Sequence, residues 1–125
     1  NRPPLPAIPL TTDTSTLTAI GNDFSFDDIF ARQIEAHGQK GDLALGLTTS
    51  GNSQNVVLAL RRAQDLGLTG AVITGRDGGL SAEAAEIAAI VESEETDFIQ
   101  EAQEAAVHYI CHRIEAAVAK TEPTT

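Results

Sequence analysis

Asp42-Leu43-Ala44-Leu45-Gly46-Leu47-Thr48 is a nearly unbroken apolar run, and Thr49-Ser50-Gly51-Asn52-Ser53 follows it directly. Bounded by Gly41 and a polar loop, such a run is expected of a strand covered on both faces, as in a parallel sheet. Beyond the loop, Val56, Val57, Leu60 and Ala63 recur at helical spacing and stop at Gly67. Gly70 to Thr74 reads as the next buried strand, and Gly75-Arg76-Asp77-Gly78-Gly79 as a turn that demands positive φ. Ser81 to Ala85 predicts a short helical turn and Ile87 to Val91 another strand. Glu94 to Lys120 predicts a long helix with Ile99, Ala102, Ala106, Ile110, Ile114 and Ala117 along one side, and Pro123 falls in a polar tail. Strands alternating with helices give an α/β fold with a parallel sheet and right-handed crossovers.

Upstream of Gly41 the pattern is less regular. Ala7-Ile8-Pro9-Leu10 suggests a fourth strand, which Pro9 confines to an edge or a strand end. Thr14 to Ile20 is helix-like, and Gly21-Asn22-Asp23 is expected to break it. Phe26, Ile29, Phe30, Gln33 and Ile34 repeat at three- and four-residue spacing, with Asp27 and Asp28 in the first turn and Gly38 past the end, so a single amphipathic helix is expected.

With 125 residues and 42% apolar composition, one domain with a modest core is the expectation. A net charge of −10 would repel a phosphate backbone and an anionic membrane alike, which speaks against nucleic acid and lipid as partners. Cys111 has no partner for an internal disulfide, no stretch is long and apolar enough to span a bilayer, and no basic-then-apolar leader opens the sequence, so a reducing, cytoplasmic setting is expected. The sequence contains no Met and opens Asn1-Arg2-Pro3-Pro4, which reads as part of a longer product.

Ligands of parallel α/β sheets sit at the carboxyl ends of strands, where the next helix offers unpaired N–H groups. Thr48, Thr49, Ser50 and Ser53 lie at such a place, and Gly51 lets the backbone approach closely, a neutral donor set suited to a phosphate ester. The plainer possibility is a hydroxyl-rich turn in which Ser53 merely caps the helix. The loop has neither the Lys of a P-loop nor the GxGxxG dinucleotide fingerprint, so nucleoside triphosphate chemistry is disfavoured. On the last helix His108 and His112 stand at i and i+4 with Cys111 beside them, yet no third local ligand accompanies the pair. Cys111 is expected to be a small buried hydrophobe, His37 a cation at a helix C-terminus and Asp97 a first-turn acid.

The runs Pro3-Pro4-Leu5-Pro6-Ala7-Ile8, Leu10-Thr11-Thr12-Asp13, Thr18-Ala19-Ile20-Gly21-Asn22-Asp23-Phe24, Phe30-Ala31-Arg32-Gln33, Gly41-Asp42, Thr49-Ser50-Gly51-Asn52-Ser53-Gln54-Asn55-Val56 and Thr74-Gly75-Arg76-Asp77-Gly78-Gly79 resemble phosphoheptose isomerases of the sugar isomerase (SIS) superfamily. The similarity extends through Ile99-Gln100-Glu101 to His108. It implies a flavodoxin-like parallel sheet with helices on both faces, residues 1–125 forming a single SIS domain without its N-terminal portion, and a homotetramer. The implied activity is isomerisation of sedoheptulose 7-phosphate to D-glycero-D-manno-heptose 7-phosphate. Carried over by position, Thr48, Thr49, Ser50 and Ser53 fall on the phosphate-binding loop and Asn22 with Asp23 on a substrate-contacting turn. Thr48 stands where many members have Ser, which keeps the hydroxyl.

Gln100 falls on a substrate- and zinc-binding position, and His108 on a zinc ligand that is also an acid/base. One Zn²⁺ per subunit is implied. The resemblance implies, ahead of Asn1, a first helix, a strand ending in a Gly-rich Asn-Gly-Gly-Ser loop, and a helix bearing a His and the catalytic Glu, which hold the remaining ligands. Gln103 stands where relatives commonly have His, and little functional weight attaches to that change. Spacing alone would not have paired Gln100 with His108, since eight residues of ideal helix span about 12 Å. The competing reading is a non-enzymatic SIS protein of the replication initiator-associating type, which shares the fold and binds a protein partner.

Overall fold

The computed structural model describes residues 4–119, so Asn1, Arg2, Pro3, Lys120 and Pro123 lie outside the described residues. Three parallel strands, β1 (Leu43–Thr48), β2 (Thr69–Gly75) and β3 (Ile87–Val91), lie side by side in the order β1-β2-β3. Leu47 stands beside Ile73 and Thr48 beside Thr74, which brings the carboxyl ends of β1 and β2 together. Helices α1 (Thr14–Asp23) and α2 (Ala31–His37) precede the sheet. Helix α3 (Gln54–Asp65) connects β1 to β2, the short α4 (Gly79–Ala84) connects β2 to β3, and α5 (Thr96–Ala119) follows β3.

The side chains of β2 alternate between two covers. A Cβ at Gly70 would meet Leu60 of α3, whereas one at Gly75 would lie 2.4 Å from Ile99 Cδ1 of α5. Helices therefore occupy both faces, and the α/β parallel architecture expected from the sequence is the one observed. The core lies on the α3 side, where Val56, Val57, Leu60, Val72 and Ala84 pack together with Phe30 against them. A second cluster of Ile34, Ala59, Ala63 and Leu68 joins α2 to α3.

Several local expectations are corrected. The segment 7–10 forms no strand; Pro9 has no N–H to give a ladder, and the Leu10 carbonyl instead accepts from buried Gln33 Nε2 at 2.9 Å. Gly21-Asn22-Asp23 does not end α1, because one glycine costs a helix only about 1 kcal/mol and Phe24 N–H still reaches the Ile20 carbonyl. The expected single helix after it is split into a 3₁₀ turn, Phe26–Asp28, and α2. Ser25 caps that turn through the Asp27 N–H and leaves Phe26 exposed, while Ile29, Gln33 and Ile34 are buried.

Another concerns the run that decided the fold. β1 is an edge strand covered on one face only: Leu43, Leu45 and Leu47 are 57%, 40% and 47% exposed, while Thr48 is buried. Along the apolar stripe expected on α5, Ala102, Ala106 and Ile110 are half-buried and Ala117 is exposed. Ile99 and Gln103 are its buried residues, Ile114 is exposed, and so is Cys111, contrary to the expectation of a buried thiol. α2 ends at His37 and Asp97 lies in the first turn of α5, both as expected.

Candidate functional site

The loop after β1 is built by a second loop beneath it. Gly51 has φ +71°, and a Cβ there would stand 2.4 Å from the Gly78 carbonyl oxygen, so only glycine fits. Gly78 and Gly79 also have positive φ, as the turn after β2 required, and so does Arg76. The two loops are then stitched together: Ser81 N–H donates to the Gly51 carbonyl at 2.8 Å and Leu80 N–H to Asn52 Oδ1 at 3.2 Å. Asn52 Nδ2 donates in turn to the Ser50 carbonyl. Backbone held from below in this way presents its hydroxyl side chains in a fixed arrangement.

Those hydroxyls are not consumed by the loop. Ser53 occupies the N-cap of α3 but makes no capping hydrogen bond; its Oγ pairs with Thr48 Oγ1 at 3.0 Å. Of the two hydroxyl protons in that pair, one lies between the oxygens and the other is left to donate. Ser50 Oγ accepts from Asn52 N–H at 3.1 Å, which also leaves its own proton available. Val56 N–H is already taken by the Ser53 carbonyl and Asn55 Oδ1, whereas the N–H groups of Gln54 and Asn55 have no acceptor among the described residues and lie at the positive end of a 12-residue helix dipole. Together these make a neutral donor cradle at a strand end, able to accept an anionic group without a cationic side chain in the loop itself.

The described residues bring only part of the expected site together. Thr48, Thr49, Ser50 and Ser53 form the cradle, and α5 reaches it through Gln103, whose Nε2 donates to the Thr48 carbonyl at 3.0 Å. Asn22 and Asp23 sit on the last turn of α1, where Asn22 Nδ2 donates to Asp23 Oδ1 and neither side chain touches the cradle. Gln100 and His108 are exposed on α5. A groove of about 280 Å³ includes Arg32, Glu35 and Arg62 in its wall, and a hollow of about 420 Å³ includes Arg76 and Glu94; neither is lined by the loop. In the former, Arg62 pairs with Glu35 and Asp65, so its charges are compensated.

Zinc accepts amide oxygen and imidazole nitrogen donors, and the side chains of Gln100 and His108 have no hydrogen-bond partner among the described residues, so both are available as ligands. They are two donors where four are usual, and no group of three His, Cys, Asp or Glu that could hold a metal occurs among the described residues. Along the unbroken α5 the two positions stand about 12 Å apart, so they fit one zinc only where both long side chains converge on it. His112 and Cys111 are exposed and add no third donor around His108.

The model of the SIS domain family matches residues 1–75, which include β1, the cradle and β2. The chain belongs to this family. This SIS chain is 53% identical over 117 residues to the phosphoheptose isomerase of Aquifex aeolicus (strain VF5), covering 94% of the chain and 61% of that relative. It is 51% identical over 115 residues to a probable phosphoheptose isomerase of Thermoplasma volcanium, again covering 92% of the chain and 59% of the relative. Its fold superimposes on a phosphoheptose isomerase structure from Francisella tularensis with a TM-score of 0.86 at 41% identity, covering 89% of this chain and 60% of that one. The corresponding structure from Neisseria gonorrhoeae gives 0.83 at 42% identity, with coverages of 86% and 61%. The chain therefore spans about three fifths of the length of the relatives it matches, and the resemblance to phosphoheptose isomerases read from the sequence is borne out.

Gln103 is the residue that sequence reasoning undervalued. A polar side chain in the middle of an apolar stripe was the available signal, and burial of an amide demands partners that only the fold could supply.

Proposed function

We propose that the protein is a sugar-phosphate isomerase that converts sedoheptulose 7-phosphate to D-glycero-D-manno-heptose 7-phosphate through an enediol. The observation that carries this reading is the cradle: Ser53 turns from capping α3 to pair with Thr48, and the hydroxyls so arranged face the start of a helix. In this reading the substrate phosphate rests on Thr48, Thr49, Ser50 and Ser53, and binding at that remote group holds the reacting carbons in place.

An aldose–ketose isomerisation takes a proton from one carbon and returns one to its neighbour, with the hydroxyl proton passing between the two oxygens. It needs a proton-transfer group on each side and charge stabilisation at the enediolate. His108 serves as one of these groups. The other, a Glu, belongs to the part of the relatives' length that the chain does not span. Gln100 and His108 would be two of the ligands of a Zn²⁺, which when bound would polarise the carbonyl. Asn22 and Asp23 meet the sugar from α1, and Gln100 contacts it from α5.

We assign the working form as a cytoplasmic homotetramer. The uncovered Leu43, Leu45 and Leu47 and the exposed Phe98, Tyr109 and Ile114 of α5 support subunit packing, and Ala102, Ala105, Ala106, Ala116 and Ala117 permit close helix approach. No described helix is long and apolar enough to cross a membrane. The isomerase names of the relatives favour this reading over a partner-binding SIS protein.

The test is a pair of variants in the full-length protein. His108→Gln is expected to lower kcat by about 10²-fold with a smaller effect on KM, the scale for losing a general acid or base. His112→Gln is expected to leave both constants near wild type. Wild-type turnover in His108→Gln with loss in His112→Gln would move the assignment by one helical turn and defeat it.

A further inference from the structure

Gln103 is 7% exposed, and both protons of its side-chain amide are committed: Nε2 donates to the Thr48 carbonyl at 3.0 Å and to the Ile73 carbonyl at 2.9 Å. These acceptors belong to two neighbouring strands, 55 and 30 residues away in the chain. We propose that Gln103 is a positioning residue that straps α5 across the ends of β1 and β2 and so fixes where Gln100 and His108 stand relative to the cradle. Its structural part stands alone, and its kinetic consequence rests on the isomerase reading above.

Thr48 is where the strap and the cradle meet. Its carbonyl receives Gln103 while its hydroxyl pairs with Ser53, so one residue transmits the position of the helix to the ligand loop. On the helix, Gln103 lies between the two groups it would place, about 4.5 Å beyond Gln100 and about 7.5 Å short of His108 along the axis. α5 runs unbroken from Thr96 to Ala119 with neither Gly nor Pro, so fixing one turn fixes its neighbours. The apolar contact of this region cannot set the same register. Ile99 packs against the bare backbone of Gly75 through dispersion, which resists separation but has no directional minimum, whereas two hydrogen bonds from one nitrogen have one.

The experiment uses the full-length protein, with Gln103→Leu removing both bonds and Gln103→His restoring a ring N–H that can serve one carbonyl. Amide hydrogen exchange is followed in residues 49–53, 96–104 and 54–65 alongside steady-state kinetics. Gln103→Leu is expected to speed exchange about tenfold or more in the first two segments while α3 keeps its protection. It is also expected to lower kcat by about 10- to 100-fold with KM within about twofold, the consequence of misplacing proton-transfer groups while the cradle still binds. Gln103→His is expected to fall between Leu and wild type in both readouts.

Exchange that rises equally in α3, or does not rise at all, overturns the strap. Localised exchange with kcat unchanged in an active protein overturns the positioning role. If the wild-type protein shows no turnover, the isomerase reading fails, and the exchange pattern alone decides the strap.

Discussion

α3 and α5 flank the same central strand from opposite sides, yet they are made on different terms. α3 is 12 residues long and buries Val56, Val57, Ala59, Leu60 and Ala63; α5 is twice as long, at 24 residues, and buries Ile99 and Gln103. The first helix is held by area removed from water, the second by one apolar contact and one amide. Hydrophobic periodicity thus indicates where a helix is anchored but not what its other faces are for. The exposed side chains of α5 include Gln100 and His108.

The largest effect expected from this contrast is in stability. Leu60→Ala, which empties a site 1% exposed, should cost about 2–5 kcal/mol in chemical denaturation, whereas Ile110→Ala on half-buried α5 surface should cost under about 1 kcal/mol in the isolated 125-residue chain. Equal costs would erase the distinction between the helices. Gly75→Ala should come next. The new methyl would press on Ile99 Cδ1 and on the Thr49 carbonyl, 2.4 and 2.5 Å from an ideal Cβ, costing about 1–3 kcal/mol and moving α5 rather than α3. Chemical-shift changes confined to α3 would contradict that.

The smallest effect concerns α1, far from both. The Thr16 hydroxyl, and after it the Thr16 N–H, donate to the Asp13 carboxylate and hold its pKa below the ordinary value. A depressed pKa stabilises the folded form above the unfolded carboxylate's range, and that contribution is lost as pH falls through the folded value. The first turn of α1 should therefore fray on acidification below the ordinary Asp range and not before; carbon chemical shifts of residues 14–17 report it, and fraying already at neutral pH would count against the cap.

The sequence was most legible where a local pattern and a tertiary role coincide. The β1–loop–α3 unit and β2 carried apolar runs bounded by glycine, and all appear where expected. Reading failed where context decided. Ala7 to Leu10 has strand-like residues but no neighbouring strand to pair with, and Leu43, Leu45 and Leu47 look like core yet lie on an uncovered face. Of the site, the hydroxyl cradle was visible as composition, but the choice of Ser53 between capping α3 and facing Thr48 is a rotamer, which spacing does not encode. Gln103 was opaque for the same reason: its two acceptors are backbone carbonyls, and backbone leaves no mark in a sequence.

Phosphate binding by the loop from Thr48 to Ser53 is read by calorimetric titration of the full-length protein with sedoheptulose 7-phosphate. Ser50 keeps a free hydroxyl proton aimed from a loop that Gly51 and Asn52 hold in place. Ser50→Ala is predicted to weaken binding by about 1–3 kcal/mol, roughly 5- to 150-fold, with the melting temperature of the free protein nearly unchanged. Unchanged affinity in a folded Ser50→Ala variant would rule out phosphate binding at this loop.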